Sequence, residues 1–212
     1  MKKIFIKILK FNKLKWQEKI NFLNNVLSIW KTKIIYGKSL LFLGKRSKIQ
    51  KPLMITPKYI SIGNNVSILY NCRIQGIVKY NNKLFTPKII FDDEVSVQQN
   101  LHLTCAKRIY IGKNTAIAAN VTITDIHHPY EDINIPIEKQ NIKVKEVEIG
   151  EDCKIYNNSV ILPGTKIGKH CTIGANSVVR GNFPDFCVIV GAPARIVKKY
   201  NFENKIWGKI YY

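Results

Sequence analysis

IGEDCK IYNNSV ILPGTK IGKHCT IGANSV V, running from Ile149 to Val179, decides the fold. Ile149, Ile155, Ile161, Ile167, Ile173 and Val179 recur at a fixed step of six, and four residues after each isoleucine stands a small side chain: Cys153, Ser159, Thr165, Cys171 and Ser177. A period of six fits neither an amphipathic helix nor a hairpin meander. It is the period of hexapeptide β-helices, in which each short strand covers one wall of a coil. Residues two apart in an extended strand share a face, so the small residue and the aliphatic that follows it point inward while the residue between them points out. Gly150, Asn157-Asn158, Pro163-Gly164, Gly168 and Gly174 fall between these inward pairs, where the chain must turn. Three hexads would close one triangular coil.

Working outward from this stretch, the hexads begin near Leu43, continue through Ile49 and Ile55, slip at Thr56-Pro57 and resume at Ile62, Ile68 and Ile74. A break from Gln75 to Lys88, rich in Asn and Lys, reads as a loop between coils. The pattern returns at Phe91, Val97 and Leu103, slips across Cys105 to Tyr110, and returns at Ile111, Ile117 and Ile123. It then stops from Thr124 to Glu148. An interruption of that length inside a compact repeat is more often functional than idle. The expected organisation is an all-β hexapeptide-repeat domain over residues 41–200 with an inserted loop at 124–148. A basic amphipathic helical segment at 1–40 precedes it and a short C-terminal tail at 201–212 follows.

The N-terminal segment is different material. Leu14, Trp16, Ile20, Leu23, Leu27 and Trp30 step largely by three or four, the spacing of an amphipathic helix. Fifteen of the 34 Lys and Arg lie in residues 1–60 against one acid, Glu18, so the formal net charge of +20 is concentrated there. Such a segment suits peripheral contact of residues 1–30 with an anionic membrane, and it equally suits a cap on the open end of a β-helix. No nucleic-acid motif accompanies the charge, so no nucleic-acid partner is expected. Five cysteines without a C-x-x-C pair argue against a disulfide framework and for a reducing, cytoplasmic compartment. Lys7 and Lys10 interrupt the first apolar run before it reaches the length of a secretory signal, and no run is long enough to span a bilayer.

The long interruption opens with Thr124-Asp125-Ile126-His127-His128-Pro129-Tyr130. With Ile117-Ala118-Ala119-Asn120-Val121-Thr122-Ile123 before it and Val190-Gly191-Ala192-Pro193-Ala194-Arg195 near the end, the chain resembles the hexapeptide-repeat acyltransferases. Within that family it is similar to the sugar and polysaccharide O-acetyltransferases, such as the galactoside and maltose enzymes. The resemblance implies a left-handed parallel β-helix, against the usual right-handed crossover. It also implies acetyl-CoA as acyl donor, no metal, a sugar or glycan acceptor, and a homotrimer whose sites lie between subunits. His128 aligns with the family's catalytic histidine, with His127 as the reserve. Asn157 aligns with the residue whose backbone N–H receives the oxyanion, and Ala175, Arg180, Arg195 and Lys198 align with the CoA-binding positions. Asp125 is the candidate to orient His128. The chain departs from the family in having Lys154-Ile155-Tyr156 where Trp-Ile-Gly is common, which sets a phenol beside the implied pantetheine track, and Arg180-Gly181 where Thr-Lys is common.

One histidine suits this chemistry. A sugar hydroxyl attacks a thioester at neutral pH only if a base near pKa ~6.5 removes its proton in the transition state. Two rivals share the coil. A γ-class carbonic anhydrase would hold zinc with three histidines, nominally His102, His128 and His170. A non-catalytic scaffold would use only the basic N-terminus.

Overall fold

A computed structural model describes residues 14–210, so the lysine-rich residues 1–13 and the last two of the tail lie outside the described residues. The hexads wind into six full coils of parallel strands on three faces. Face 1 stacks seven strands, from Phe42–Leu43 to Asn182–Phe183, and face 3 stacks six, from Met54–Ile55 to Val178–Val179. On face 2 the parallel stack runs from Lys48–Ile49 to Cys187–Gly191. Every pairing between coils is parallel and keeps the inward aliphatics in register, as in Ile117↔Ile155, Ile155↔Ile173, Ile123↔Ile161 and Ile149↔Ile167. The product is a single core column in which Ile62, Ile74, Phe91, Leu103, Ile117, Ile123, Ile155 and Ile161 have no exposed surface. Ser159, Thr165 and Ser177 fill the small inward slots, equally buried. Their hydroxyls are paired: Ser159 donates to the Gly174 carbonyl at 2.9 Å, Thr165 donates to the Leu162 carbonyl at 2.7 Å and Ser177 accepts from the Gly191 N–H at 3.1 Å, so burying these polar atoms leaves none unpaired.

The corners explain the residues between hexads. A turn that bends the chain through a triangle corner needs a left-handed residue, which Asn tolerates better than most. Asn71, Asn100, Asn120, Asn158 and Asn176 take it with φ of 57 to 62° at the corner from face 2 to face 3. Their amides form a ladder: Asn100 to Asn120 at 2.9 Å, Asn120 to Asn158 at 3.2 Å and Asn158 to Asn176 at 3.0 Å. At the corner from face 1 to face 2 glycines stack, because a Cβ on Gly150 would sit 2.7 Å from the backbone of Gly168.

Both long interruptions leave the triangle at the remaining corner, from face 3 to face 1. After Gly76, where the sequence suggested a loop between coils, the chain forms a hairpin, Lys79–Tyr80 against Lys83–Leu84. The second excursion opens and closes as an antiparallel ribbon, Ile126–His127 against Lys143–Val144, before rejoining face 1 at Val147. Two coils separate the two excursions. The corner that joins them, Cys105 to Arg108, is tight.

At the open end, helix α1 (Trp16–Tyr36) lies on the first strand of face 2. The edge amide of Ile49 donates to the Thr32 hydroxyl at 2.8 Å, which itself donates to the Ser28 carbonyl at 2.8 Å, and Lys48 reaches Asn25 at 2.5 Å. The helix thus covers an edge that would otherwise offer unpaired N–H groups. Trp16, Leu23, Leu27, Trp30 and Ile34 nevertheless remain exposed. Among the described residues no helix is long and apolar enough to cross a membrane. At the far end, Ala194–Asn201 turns back antiparallel on Cys187–Gly191, and Ile206–Lys209 pairs with it in turn.

Candidate active site

The ribbon at 126–127 puts successive side chains on opposite sides, and this separates the two histidines. His128 faces a cavity of about 410 Å³ lined by Arg73, Ile77, Tyr80, His102, Thr104, Thr122, Thr124, Ile126 and Ile142. His127 faces a second cavity of about 250 Å³ with Glu131, Lys143, Lys145, Leu162, Pro163 and Arg180. A larger hollow of about 660 Å³ beside α1 is lined by no His, Cys, Asp or Glu and lacks a candidate base.

The outward residues of face 3 divide by coil. In the three coils just before the long excursion they are polar: Arg73 is in register with His102 and His102 with Thr122, while Thr104 donates to Thr124 at 2.9 Å. Burial first, then the Arg73 cation, holds the His102 imidazole below its ordinary value and favours its neutral form. In the coils after the excursion the same positions carry Val160 and Val178, half-buried, with Leu162 and the exposed Arg180 at the corner. His128 projects at the boundary.

Around His128 the partners come from the two excursions. Nδ1 lies 3.4 Å from the Tyr80 hydroxyl, and the two rings meet edge to face with centroids 5.3 Å apart. Tyr80 donates to the Glu138 carboxylate at 2.6 Å, with the Glu138 carbonyl also at 3.0 Å. Asn81 fastens the hairpin to the loop through the Glu138 and Gln140 carbonyls, each at 3.3 Å.

Asp125 does not orient His128. It is fully buried, and its carboxylate accepts from the backbone N–H of Ala106, Lys107 and Arg108 at 2.7, 2.7 and 2.9 Å. It also accepts from the Cys105 thiol at 3.3 Å, and burial together with the Asp125 charge pushes that thiol up, so it stays protonated as a donor. The residue that starts the loop is a clasp on the tight corner of the coil before it. The direction of an aspartate side chain from a buried position is not readable from its place beside a histidine in sequence.

The other expected site residues do not all converge. Asn157 and Ala175 are exposed at the corner from face 2 to face 3, stacked on adjacent coils, with the Asn176 amide donating to the Asn157 carbonyl at 3.0 Å. That corner is one strand's width from the corner of His128 and Arg180, roughly 15 Å for five extended residues. Tyr156 is exposed beside Asn157, with the Lys154 ammonium 5.5 Å from its ring centroid. Arg195 and Lys198 are exposed on the antiparallel strand that closes face 2, apart from Arg180, and Arg195 donates to the Ala194 carbonyl at 3.1 Å. His170 takes a left-handed corner between faces 1 and 2 and stacks on Phe186 at 5.6 Å, so His102, His128 and His170 do not converge within one chain. Among the described residues no three His, Cys, Asp or Glu form a metal-ligand group. Tyr80 and Glu138 were missed because each sits in an interruption with no periodicity to place it.

Residues 146–181 match the family described as bacterial transferase hexapeptide (six repeats). The chain is 41% identical over 128 residues to a putative lipopolysaccharide biosynthesis O-acetyl transferase of Escherichia coli K12, covering 57% of this chain and 65% of that protein. It is 33% identical over 162 residues to a probable acetyltransferase of Mycobacterium tuberculosis, covering 72% of this chain and 54% of that one. The chain thus spans between about half and two thirds of the length of these relatives. Among solved structures, an N-acyltransferase from Bacillus cereus superposes with a TM-score of 0.67 at 23% identity, covering 82% of this chain and 89% of that one. A maltose O-acetyltransferase from Clostridium difficile 630 gives 0.54 at 26%, covering 90% and 81%. These likenesses include the winding: the coil is the left-handed parallel β-helix of hexapeptide-repeat proteins.

Proposed function

We propose that this chain, a left-handed β-helix carrying the transferase hexapeptide repeat, is an acetyl-CoA-dependent O-acetyltransferase. Its acceptor would be a hydroxyl of a sugar or surface-polysaccharide precursor. The observation that carries the reading is the division of face 3 at His128, with a polar wall of Arg73, His102 and threonines on one side and a half-apolar wall ending in Arg180 on the other. Hydroxyl-rich acceptors suit the first wall. A pantetheine arm suits the second, and its phosphates suit Arg180, Lys143 and Lys145. His128 would take the proton of the attacking hydroxyl as the thioester carbonyl becomes a tetrahedral oxyanion, and CoA would leave as the thiol. The acetyl-transferring relatives, at 41% and 33% identity, support the same chemistry. The reading is tested by a thiol-release screen with acetyl-CoA over sugar nucleotides, glycosides and lipid-linked glycans. No release above hydrolysis with any of them would leave the scaffold reading instead.

The roles of Asn157 and Ala175 require a second copy. Their corner cannot reach His128 of the same chain, but a partner protomer can present it, so the complete site would lie between subunits of a homotrimer. Light scattering at working concentrations is expected to give three times the chain mass of 24.4 kDa. A stable monomer that turns over acetyl-CoA would remove Asn157 and Ala175 from the site.

We further propose that α1 serves both ends of the earlier choice, seating on the first coil through Thr32 while turning Trp16, Leu23, Leu27 and Trp30 toward an anionic membrane on the cytoplasmic side. Flotation with anionic vesicles at low salt is expected to carry the full chain upward but not a chain beginning at Tyr36. If both remain below and only the truncated one aggregates, the helix is a cap alone.

A further inference from the structure

We propose that Tyr80 and Glu138 are positioning residues that fix the tautomer of His128, forming a Glu138–Tyr80–His128 relay across the two excursions. The proposal rests on His128 being the base assigned above. A phenol has one proton to give. Both groups within reach at shorter range, the Glu138 carboxylate at 2.6 Å and the Glu138 carbonyl at 3.0 Å, can only accept, so the proton is committed to Glu138. The hydrogen bond to Glu138 also holds the Tyr80 phenol above its ordinary value, so the proton stays on the oxygen. What Tyr80 offers His128 is therefore a lone pair. Nδ1, 3.4 Å away, must be the protonated nitrogen that donates to it, which leaves Nε2 unprotonated. The distance is long for a hydrogen bond, as catalytic contacts often are before the reacting complex forms.

The rest of the geometry serves the same end. The edge-to-face packing of the two rings at 78° restricts rotation of the imidazole, and the Asn81 amide pins the hairpin tip to the loop at the Glu138 and Gln140 carbonyls. The other titratable or charged groups lining the cavity are Arg73 and His102. Asp125, which could have competed for Nδ1, is committed to the backbone of Ala106 to Arg108. Imidazole side chains free in water favour the proton on Nε2, the wrong tautomer for a base acting through that nitrogen. A relay that reverses the preference therefore has a measurable effect.

The test is long-range ¹H–¹⁵N correlation NMR of the full-length protein, with His128 assigned by its loss in His128→Gln. Wild type is expected to show the proton on Nδ1. Tyr80→Phe is expected to shift His128 to the Nε2–H form and to lower kcat roughly ten- to hundredfold with little change in KM for acetyl-CoA. Glu138→Ala should move the tautomer the same way by less, since the main-chain carbonyl of residue 138 still accepts. A wild-type proton on Nε2, or a Tyr80→Phe protein whose tautomer and kcat are unchanged, overturns the relay. The spectra need no acyl transfer, so failure of the acetyltransferase reading would appear separately, as absence of thiol release from a wild-type protein that shows the Nδ1–H form.

Discussion

Replacing His128 with alanine is expected to lower turnover by about 10²–10⁴-fold and to leave the unfolding transition where it was. The imidazole is exposed at the mouth of its cavity, with the long Tyr80 contact and the edge-to-face packing its main side-chain ties, so the coil loses nothing when it goes. Thiol release with whichever acceptor the panel identifies, alongside a thermal melt, checks both halves. His127→Ala supplies the contrast. Its side chain faces the cavity of Arg180 and Lys145, so its loss should raise KM for acetyl-CoA and spare kcat. If the His128 variant acetylates normally and the His127 variant does not, the base has been assigned to the wrong member of the pair.

Asp125→Ala is expected to have the largest effect on stability, on the order of 3–5 kcal/mol, with loss of activity as a consequence. The substitution leaves the N–H groups of Ala106, Lys107 and Arg108 buried or half-buried without their acceptor, at roughly 1–3 kcal/mol for each that finds no replacement. It also releases the first residue of the loop, three positions before His128. Urea unfolding followed by circular dichroism measures the first effect. Asp125→Asn separates this account from a direct catalytic one. The amide has one accepting oxygen where the carboxylate has two, and its NH₂ would confront a backbone donor, so stability should fall here too. An Asn variant with the wild-type urea midpoint and no turnover would return Asp125 to an orienting role.

The proposed sugar or glycan acceptor, the proposed CoA track past Tyr156 and the proposed membrane face of α1 would all depend on surfaces where several coils or several copies meet. Tyr156 illustrates the point. As a departure from Trp-Ile-Gly it sets a phenol beside the implied pantetheine track, and its ring leans with Lys154 at an exposed corner, where a partner protomer would decide what it touches.

The sequence by itself determined the coil. A six-residue period with an aliphatic and a small residue in each unit has one way to bury both, and parallel stacking in register follows because every coil presents the same inward pattern to the next. It also located the histidine pair, because a long break in a strict repeat is conspicuous. Even the meeting of the two excursions was latent in the count of hexads. Both breaks follow a third-face unit, Ile74 and Ile123, and so must leave the triangle at one corner. What only the tertiary structure decided was direction and partnership: that Asp125 turns inward to hold Ala106 to Arg108, that His127 and His128 face different cavities, and that Tyr80 from one excursion bridges to Glu138 in the other. Periodicity fixes residues that repeat, because each is constrained by its equivalents on the coils above and below. Residues in an interruption have no equivalents, and their positions are set by contacts between segments 58 positions apart, as between Tyr80 and Glu138, which a linear pattern does not encode.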